Sequence, residues 1–320
     1  MSILITGGTG FIGAEVVRLL LEKGEKDLLA FDINPSTKLL GGAEDQIDVV
    51  RGDLGNFSHV LNVVKRLRPK AIYHLGGMLS VPSDADPAAS FRANAMGTFH
   101  ILEAARLFEV PQVCFSSTLA TYGLDIPKED IDDYTLQRPQ LFYGCTKVFC
   151  EHMGLFYKRK YGLDFRGIRY PSIVGPGVKT PGVVQYTSWA IEESIKGKPF
   201  TIYVTPETRC PVMYFKDAGI AMVKLAEAPV SNINMVNYII AGATPIASAR
   251  ELADIINEKI PGAQLHFDPD LELQQVLDKL LLPIDDRLAR EEWGWQSQYD
   301  QARIVDDFIE EMKTHPERYK

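Results

Sequence analysis

The segment "ILITGGTGFIGAEVVRLLLEKG" places the tightest constraint on the fold. "ILI" reads as a buried strand, and "AEVVRLLLEKG" as a helix with apolar positions near helical spacing, closed by Gly24. Gly7, Gly10 and Gly13 fill the turn between them with the spacing G-x-x-G-x-x-G. Without side chains, these positions allow a tight turn, close approach to a pyrophosphate, and close packing of helix on strand. A helix that starts there points free N–H groups at an anion.

A plain glycine turn would share this spacing, so the second half of the pattern decides: an acid about twenty residues on, at the end of the next strand. "LLAFDIN" supplies it as Asp32. A carboxylate there accepts hydrogen bonds from an adenosine ribose and repels a 2′-phosphate, and no arginine follows in "DINPSTK". NAD is therefore expected over NADP.

Strands and helices then alternate. "IDVVRGDL", "AIYHLGG", "QVCFSST" and "DFRGIRY" read as strands. "NFSHVLNVVKRLRP", "PAASFRANAMGTFHILEAARLF" and "YGCTKVFCEHMGLFYKRKYG" read as the helices between them. This order predicts an α/β fold, a doubly wound parallel sheet of the Rossmann type over residues 1–171. From "RYPSIVGPGVKTPG" onward the elements shorten and proline and glycine become denser. A smaller, mixed substrate-binding region is expected over residues 172–320, with segments such as "PVMYFKDAGIAMVKLAEA" returning to the first domain. Ligands of such sheets bind beyond the carboxyl ends of the strands, here at Gly7, Asp32, Asp53, Gly76, Thr118 and Tyr170.

The chain has 320 residues and a net charge of −8, with no basic cluster, which argues against a nucleic-acid partner and for a small-molecule substrate. Its four cysteines form no C-x-x-C pair, and neither they nor the six histidines show metal-site spacing, so no metal is expected. No basic and apolar leader precedes the first strand, and no apolar run reaches membrane-spanning length. The expectation is a cytoplasmic protein with reduced thiols and no membrane partner.

Tyr143 and Lys147 stand four apart in a predicted helix, on one face and one turn from each other. A phenol with a pKa near 10 is a poor base at neutral pH. A nearby ammonium, and the positive ring of bound NAD, favour the phenolate. Thr118, at the end of the fifth strand, is placed to hydrogen-bond a substrate oxygen while Tyr143 takes or returns its proton. An isolated Y-x-x-x-K is commonly a surface aromatic beside a solvated lysine; here it follows a dinucleotide fingerprint and the hydroxyl-rich "SST".

Taken together, "TGGTGFIG", Asp32, "GDL", "HLGG", "ANAMGT", "SST", "YGCTK" and "RYPSIVGPG" resemble the extended short-chain dehydrogenase/reductase superfamily, the NAD-dependent epimerases and dehydratases, in order and along the whole chain. The resemblance implies Thr118, Tyr143 and Lys147 as the catalytic triad, with Thr118 and Tyr143 spaced as in the family's sugar epimerases. It implies Gly7, Gly10, Phe11, Ile12, Gly13, Asp32 and Ile33 as cofactor residues, Asp53 and Leu54 beside the adenine, and Leu75, Gly76 and Gly77 at the cofactor's centre. Tyr170 and Ile173 would lie by the nicotinamide.

Within the superfamily, "MLS", "YGLDFRGIRYPSIV", "TRCPVMYFKDAGIAMVKLAEAPV" and "PIDDRLAREEWGWQSQYD" resemble the short-chain L-threonine 3-dehydrogenases. That group usually carries a glycine-rich stretch with two threonines where this chain reads "TPGVVQYT", and Val183 and Val184 have no side-chain donors. Ser80 and Gln185 remain as polar substrate contacts, alongside Thr118 and Tyr143. A nucleotide-sugar epimerase is the alternative; it usually has asparagine in place of Ser172, and Arg209 would then reach a diphosphate. A dinucleotide sensor without catalysis is the third reading, disfavoured by the intact triad. The apolar faces of "MGTFHILEAARLF" and "VFCEHMGLFYKRKY" either pair in a homodimer or pack on the sheet.

Overall fold

The computed structural model describes residues 2–126 and 130–319. It opens with β1 (Ile3–Thr6), α1 (Phe11–Glu22), β2 (Leu28–Asp32), β3 (Asp48–Arg51), α2 (Phe57–Leu67) and β4 (Ala71–His74). α3 (Ser80–Ala85), α4 (Pro87–Ser90) and α5 (Gly97–Leu107) follow, then β5 (Gln112–Thr118), α6 (Phe142–Tyr161) and β6 (Asp164–Tyr170). The one long helix expected over "PAASFRANAMGTFHILEAARLF" is interrupted by a π-helical stretch at Phe91–Met96. There the Asn94 carbonyl takes side-chain donors, the Thr98 hydroxyl at 2.7 Å and the Cys150 thiol at 3.4 Å, where the backbone ladder widens.

The remaining elements are β7 (Ser172–Val174), α7 (Tyr186–Ile195), β8 (Phe200–Ile202), β9 (Val212–Tyr214), α8 (Phe215–Glu227) and β10 (Asn237–Ile239). After them come α9 (Ala249–Lys259), β11 (Leu265–Phe267), α10 (Leu271–Leu280), α11 (Arg287–Trp293) and α12 (Gln301–Thr314). Seven parallel strands form the main sheet in the order β10-β6-β5-β4-β1-β2-β3. The winding reverses between β1 and β4, and a crevice opens at such a point beyond the strand ends.

Period-two alternation sends Ile3 and Ile5 to one face of the sheet, with Val16 of α1 and Met222 of α8. Leu4 goes to the other, with Val64 of α2, Ile101 of α5 and Phe165 of β6. Each such side chain removed from water contributes about 2 kcal/mol. The chain beyond residue 172 serves both layers: β10 extends the main sheet beside β6, and α8 covers α1. Two short parallel pairs, β7 with β9 and β8 with β11, lie over a further core containing Tyr186, Ile202, Tyr214, Leu252 and Phe308.

Candidate active site

Three successive residues at the end of β5 meet one face of α6. The Ser116 carbonyl accepts a hydrogen bond from Lys147 Nζ at 2.7 Å. The Ser117 hydroxyl donates to Glu151, and the Thr118 hydroxyl bonds toward the Tyr143 phenol. Thr118 Oγ1 also accepts from the Ala120 N–H at 3.1 Å, so its single proton stays available to another oxygen. The start of α6 is fixed by α3, whose Asp84 Oδ1 accepts from the Phe142 N–H at 2.9 Å. Ser80 opens that same helix and is half-buried.

Lys147 is buried, with Nζ 4.7 Å from the Phe115 ring and 5.6 Å from the Tyr143 ring. Burial lowers its pKa to about 8, although the nearby Cys150 and Glu151 favour the charged form. Burial raises the Tyr143 phenol above its ordinary value, and the Thr118 hydrogen bond offsets this only in part. The expected acidification of Tyr143 by Lys147 is therefore not found in the protein alone. The cost of desolvating a phenolate outweighs an ammonium whose hydrogen bond goes to a backbone carbonyl.

The glycine turn forms a bare cradle. Gly7 adopts a positive φ of 65°, and a Cβ on Gly13 would stand 2.0 Å from the Gly7 carbonyl oxygen. Gly10 caps α1 without a side-chain bond, which leaves the first-turn N–H groups of Phe11, Ile12 and Gly13 facing outward from the helix. Asp32 closes β2, with Oδ1 accepting from the Asn34 N–H at 3.1 Å, and Ile33 is exposed beside it. These residues fit a dinucleotide: the missing side chains leave room for a pyrophosphate, and the acid can accept hydrogen bonds from ribose hydroxyls.

Asp53 and Leu54 follow β3. Asp53 Oδ1 accepts from the Gly55 N–H at 2.8 Å, and Leu54 packs against Gly76 and Gly97. Leu75, Gly76 and Gly77 leave β4 beside Gly7, where the Gly76 N–H donates to Thr6 Oγ1 at 3.3 Å. A Cβ on Gly77 would stand 2.8 Å from Asn94 Oδ1 and 3.8 Å from Lys147 Nζ, so this loop borders the β5–α6 group.

Asn94, which was not among the expected residues, borders this loop. Buried in the π-helical stretch, it accepts from the Met78 N–H at 2.7 Å and donates to the Met78 carbonyl at 3.1 Å and Thr146 Oγ1 at 3.2 Å. A polar residue amid the apolar positions of "ANAMGT" was its signal.

Tyr170 ends β6 with its side chain and backbone on different duties. It pairs with Thr118 at the β5–β6 edge, but its side chain turns into the core and donates to the Ala218 carbonyl of α8 at 2.8 Å, leaving only backbone for the cleft. Ile173, in β7, packs between two core clusters. The Gln185 N–H bonds to the Gly182 carbonyl at 3.1 Å in the turn before α7, and no described bond joins it to Tyr143. Arg209 is held by Glu251 at 2.9 and 3.1 Å and by the Ile246 carbonyl at 2.6 Å. A cavity of about 830 Å³, lined by Trp189, Phe200, Met312 and Tyr319, shares none of these site residues. Among the described residues, no cluster of three His, Cys, Asp or Glu side chains is arranged to hold a metal ion, and no helix is long and apolar enough to cross a membrane.

Residues 3–241 match the NAD dependent epimerase/dehydratase family. Over 312 residues the chain is 30% identical to the mitochondrial L-threonine 3-dehydrogenase of Bos taurus, spanning 95% of this chain and 80% of that protein. A solved GalE-like L-threonine dehydrogenase from Cupriavidus necator, in its holo form, superposes with a TM-score of 0.89 at 28% identity, over 98% of this chain and 100% of that one. The UDP-glucose 4-epimerase of Thermotoga maritima, with UDP-glucose, superposes with a TM-score of 0.86 at 22% identity, over 98% and 99% of the two chains, a likeness of fold alone. NAD is the cofactor that the glycine cradle and Asp32 fit. The chain thus belongs to the NAD-dependent epimerase/dehydratase family.

Proposed function

We propose that the chain is an NAD-dependent dehydrogenase that oxidises the hydroxyl of a small hydroxy compound, with L-threonine going to 2-amino-3-oxobutanoate as the first choice. The observation that carries this reading is the convergence of Thr118, Tyr143 and Lys147 at the β5–α6 junction, one loop from the cradle. In this reading the Thr118 hydroxyl holds the substrate oxygen against the phenol, and Tyr143 takes the β-hydroxyl proton. The Lys147 ammonium lessens the cost of the resulting phenolate. NAD, when bound, supplies the hydride acceptor. The cradle glycines with Phe11 and Ile12 hold the pyrophosphate, Asp32 and Ile33 the ribose, and Ser80 and Gln185 contact the substrate.

Two features favour a small hydroxy acid over a nucleotide sugar. Arg209, the cation best placed in sequence for a diphosphate, already has its guanidinium on Glu251 and Ile246. The threonine-oxidising relatives also match more closely than the epimerase. The proposed location is the cytoplasm, and the proposed partner is a second copy of the chain. That copy would meet α5 and α6, where Phe99, Phe149 and Phe156 are exposed.

Incubation with free NAD and L-threonine, related β-hydroxy acids, uronates or UDP-sugars, read by NADH absorbance, tests the proposal. Sustained NADH formation with L-threonine supports it. Interconversion of a UDP-sugar with no lasting rise in NADH would replace it by the epimerase reading.

A further inference from the structure

The face of α6 that carries Tyr143 and Lys147 continues to Glu151, one more turn along, and Glu151 is buried. The Ser117 hydroxyl donates to Glu151 Oε1 at 2.5 Å. Arg169 of β6 donates to both carboxylate oxygens, with Nη2 at 2.8 Å from Oε2 and Nε at 3.1 Å from each. Gln137, in the segment between Thr118 and Tyr143, donates to Oε2 at 2.8 Å. One carboxylate thereby joins β5, β6, α6 and that intervening segment.

We infer that Glu151 is a positioning residue for Tyr143 and Lys147: it locks α6 in register against the end of β5 and serves as buried counter-charge to the Lys147 ammonium. The inference rests on the reading of Tyr143 and Lys147 as the proton-handling pair. Registry follows from geometry. With Ser116 bound to Lys147 and Ser117 bound to Glu151, two successive turns of α6 are tied to successive residues at the end of β5. A slip of α6 by one residue would rotate its face by about 100° and break both bonds.

The charged and titratable groups around this unit are few. Lys147, Cys150 and Tyr143 face it from α6, Arg169 from β6, and Tyr122 and Asp133 from the segment after β5. His74 of β4 feels the Lys147 charge from the other side. Arg169 lies 3.6 Å from Asp133 Oδ1 and 2.8 Å from Glu151, so Glu151 is the closer of its two acidic partners, and burial raises the Asp133 carboxyl to about 7.

The test needs no substrate. In Glu151→Gln, which keeps the shape and loses the charge, the midpoint for titration of the Lys147 amine, followed by its side-chain nitrogen resonance and assigned with Lys147→Arg, should fall by about one pH unit. An unchanged midpoint in a folded Glu151→Gln protein would overturn the counter-charge role. Ser117→Ala retains every charge and removes only the strand bond, and it also serves if Glu151→Gln does not fold. It should speed amide exchange in the first two turns of α6 relative to the last two, and lower kcat about tenfold at unchanged KM. Exchange matching the wild type would overturn the registry role. If no hydroxy substrate is found, the kcat arm falls with the proposed activity, while the titration and exchange arms still decide this inference.

Discussion

Lys147 Nζ stands 5.6 Å from the centroid of the Tyr143 ring, yet gives its hydrogen bond to the Ser116 carbonyl. The lysine thus stands beside the phenol as a charge held in place by β5, with its hydrogen bond given to the strand. A phenol so placed is the group that handles the proton in the proposed reaction. Tyr143→Phe, which keeps the ring and deletes the oxygen, should lower kcat about a thousandfold. NADH affinity, followed by fluorescence, should stay near that of the wild type. Retained turnover in the variant would assign the proton transfer to another group.

Burial sets the pH range in which Lys147 keeps its charge. With a pKa lowered to about 8, the ammonium dominates below that pH and the neutral amine above it. The profile of kcat/KM, which reports groups of the free enzyme, should therefore turn downward on the alkaline side near pH 8. In Lys147→Arg the guanidinium stays charged, and that downturn should disappear even where the maximal rate is reduced. A downturn that survives in the variant would belong to a different group.

Much of this arrangement is legible in the sequence because it is local. The strands "QVCFSST" and "DFRGIRY" span β5 and β6. The cradle and the Y-x-x-x-K pair are likewise written in single segments. What escaped depends on distant partners. The inward turn of Tyr170 is set by Ala218 of α8, 48 residues further on, and the direction of the Tyr143 shift is set by how much chain closes over it. Asn94 and Glu151 read as ordinary helical polar residues until the loop after β4, and β5 and β6, supply their partners.

The cradle gives an ordered prediction. A methyl on Gly13 would lie 2.0 Å from the Gly7 oxygen and 2.8 Å from the Gly8 Cα, both backbone atoms of the loop. On Gly10 the nearest approach is 3.1 Å. Gly13→Ala should therefore weaken NAD binding by more than about tenfold, since overpacking of this kind costs roughly 1–3 kcal/mol. Gly10→Ala should lose less. Calorimetric titration with NAD measures both, and equal losses would mean that the loop yields where this packing says it cannot.

His74 makes stability depend on acid. The buried ring lies between Thr6 Oγ1 at 2.7 Å and Thr98 Oγ1 at 3.0 Å, and burial, with Lys147 nearby, lowers its pKa from 6.5 to about 3. Between those values the unfolded chain binds a proton that the folded protein does not. The contribution is intact above pH 6.5 and is lost as pH falls toward 3, at up to about 1.4 kcal/mol per pH unit. Urea unfolding across this range should show a steeper acid loss for the wild type than for His74→Gln, which keeps polar contacts and cannot take the proton. Parallel curves would mean that the ring is protonated in the folded state.

α5 and α6 turn one apolar face to the sheet and leave another uncovered. Ile101 and Cys150 are fully buried beneath, while Phe149 and Phe156, one heptad apart on α6, are 49% and 54% exposed. Phe91 lies beside Phe149, with ring centroids 6.5 Å apart, and extends the patch into the π-helical stretch. Exposed aromatics in a contiguous row are costly to leave in water, and pairing the helices about a two-fold axis would cover both copies of the patch at once. The wild-type chain should therefore sediment as a dimer, and Phe149→Glu with Phe156→Glu should sediment as a monomer. Both positions lie outside the packed core, so circular dichroism should remain that of the wild type. A wild-type chain that sediments as a monomer at micromolar concentration would leave these aromatics solvated and remove the dimer from the proposal.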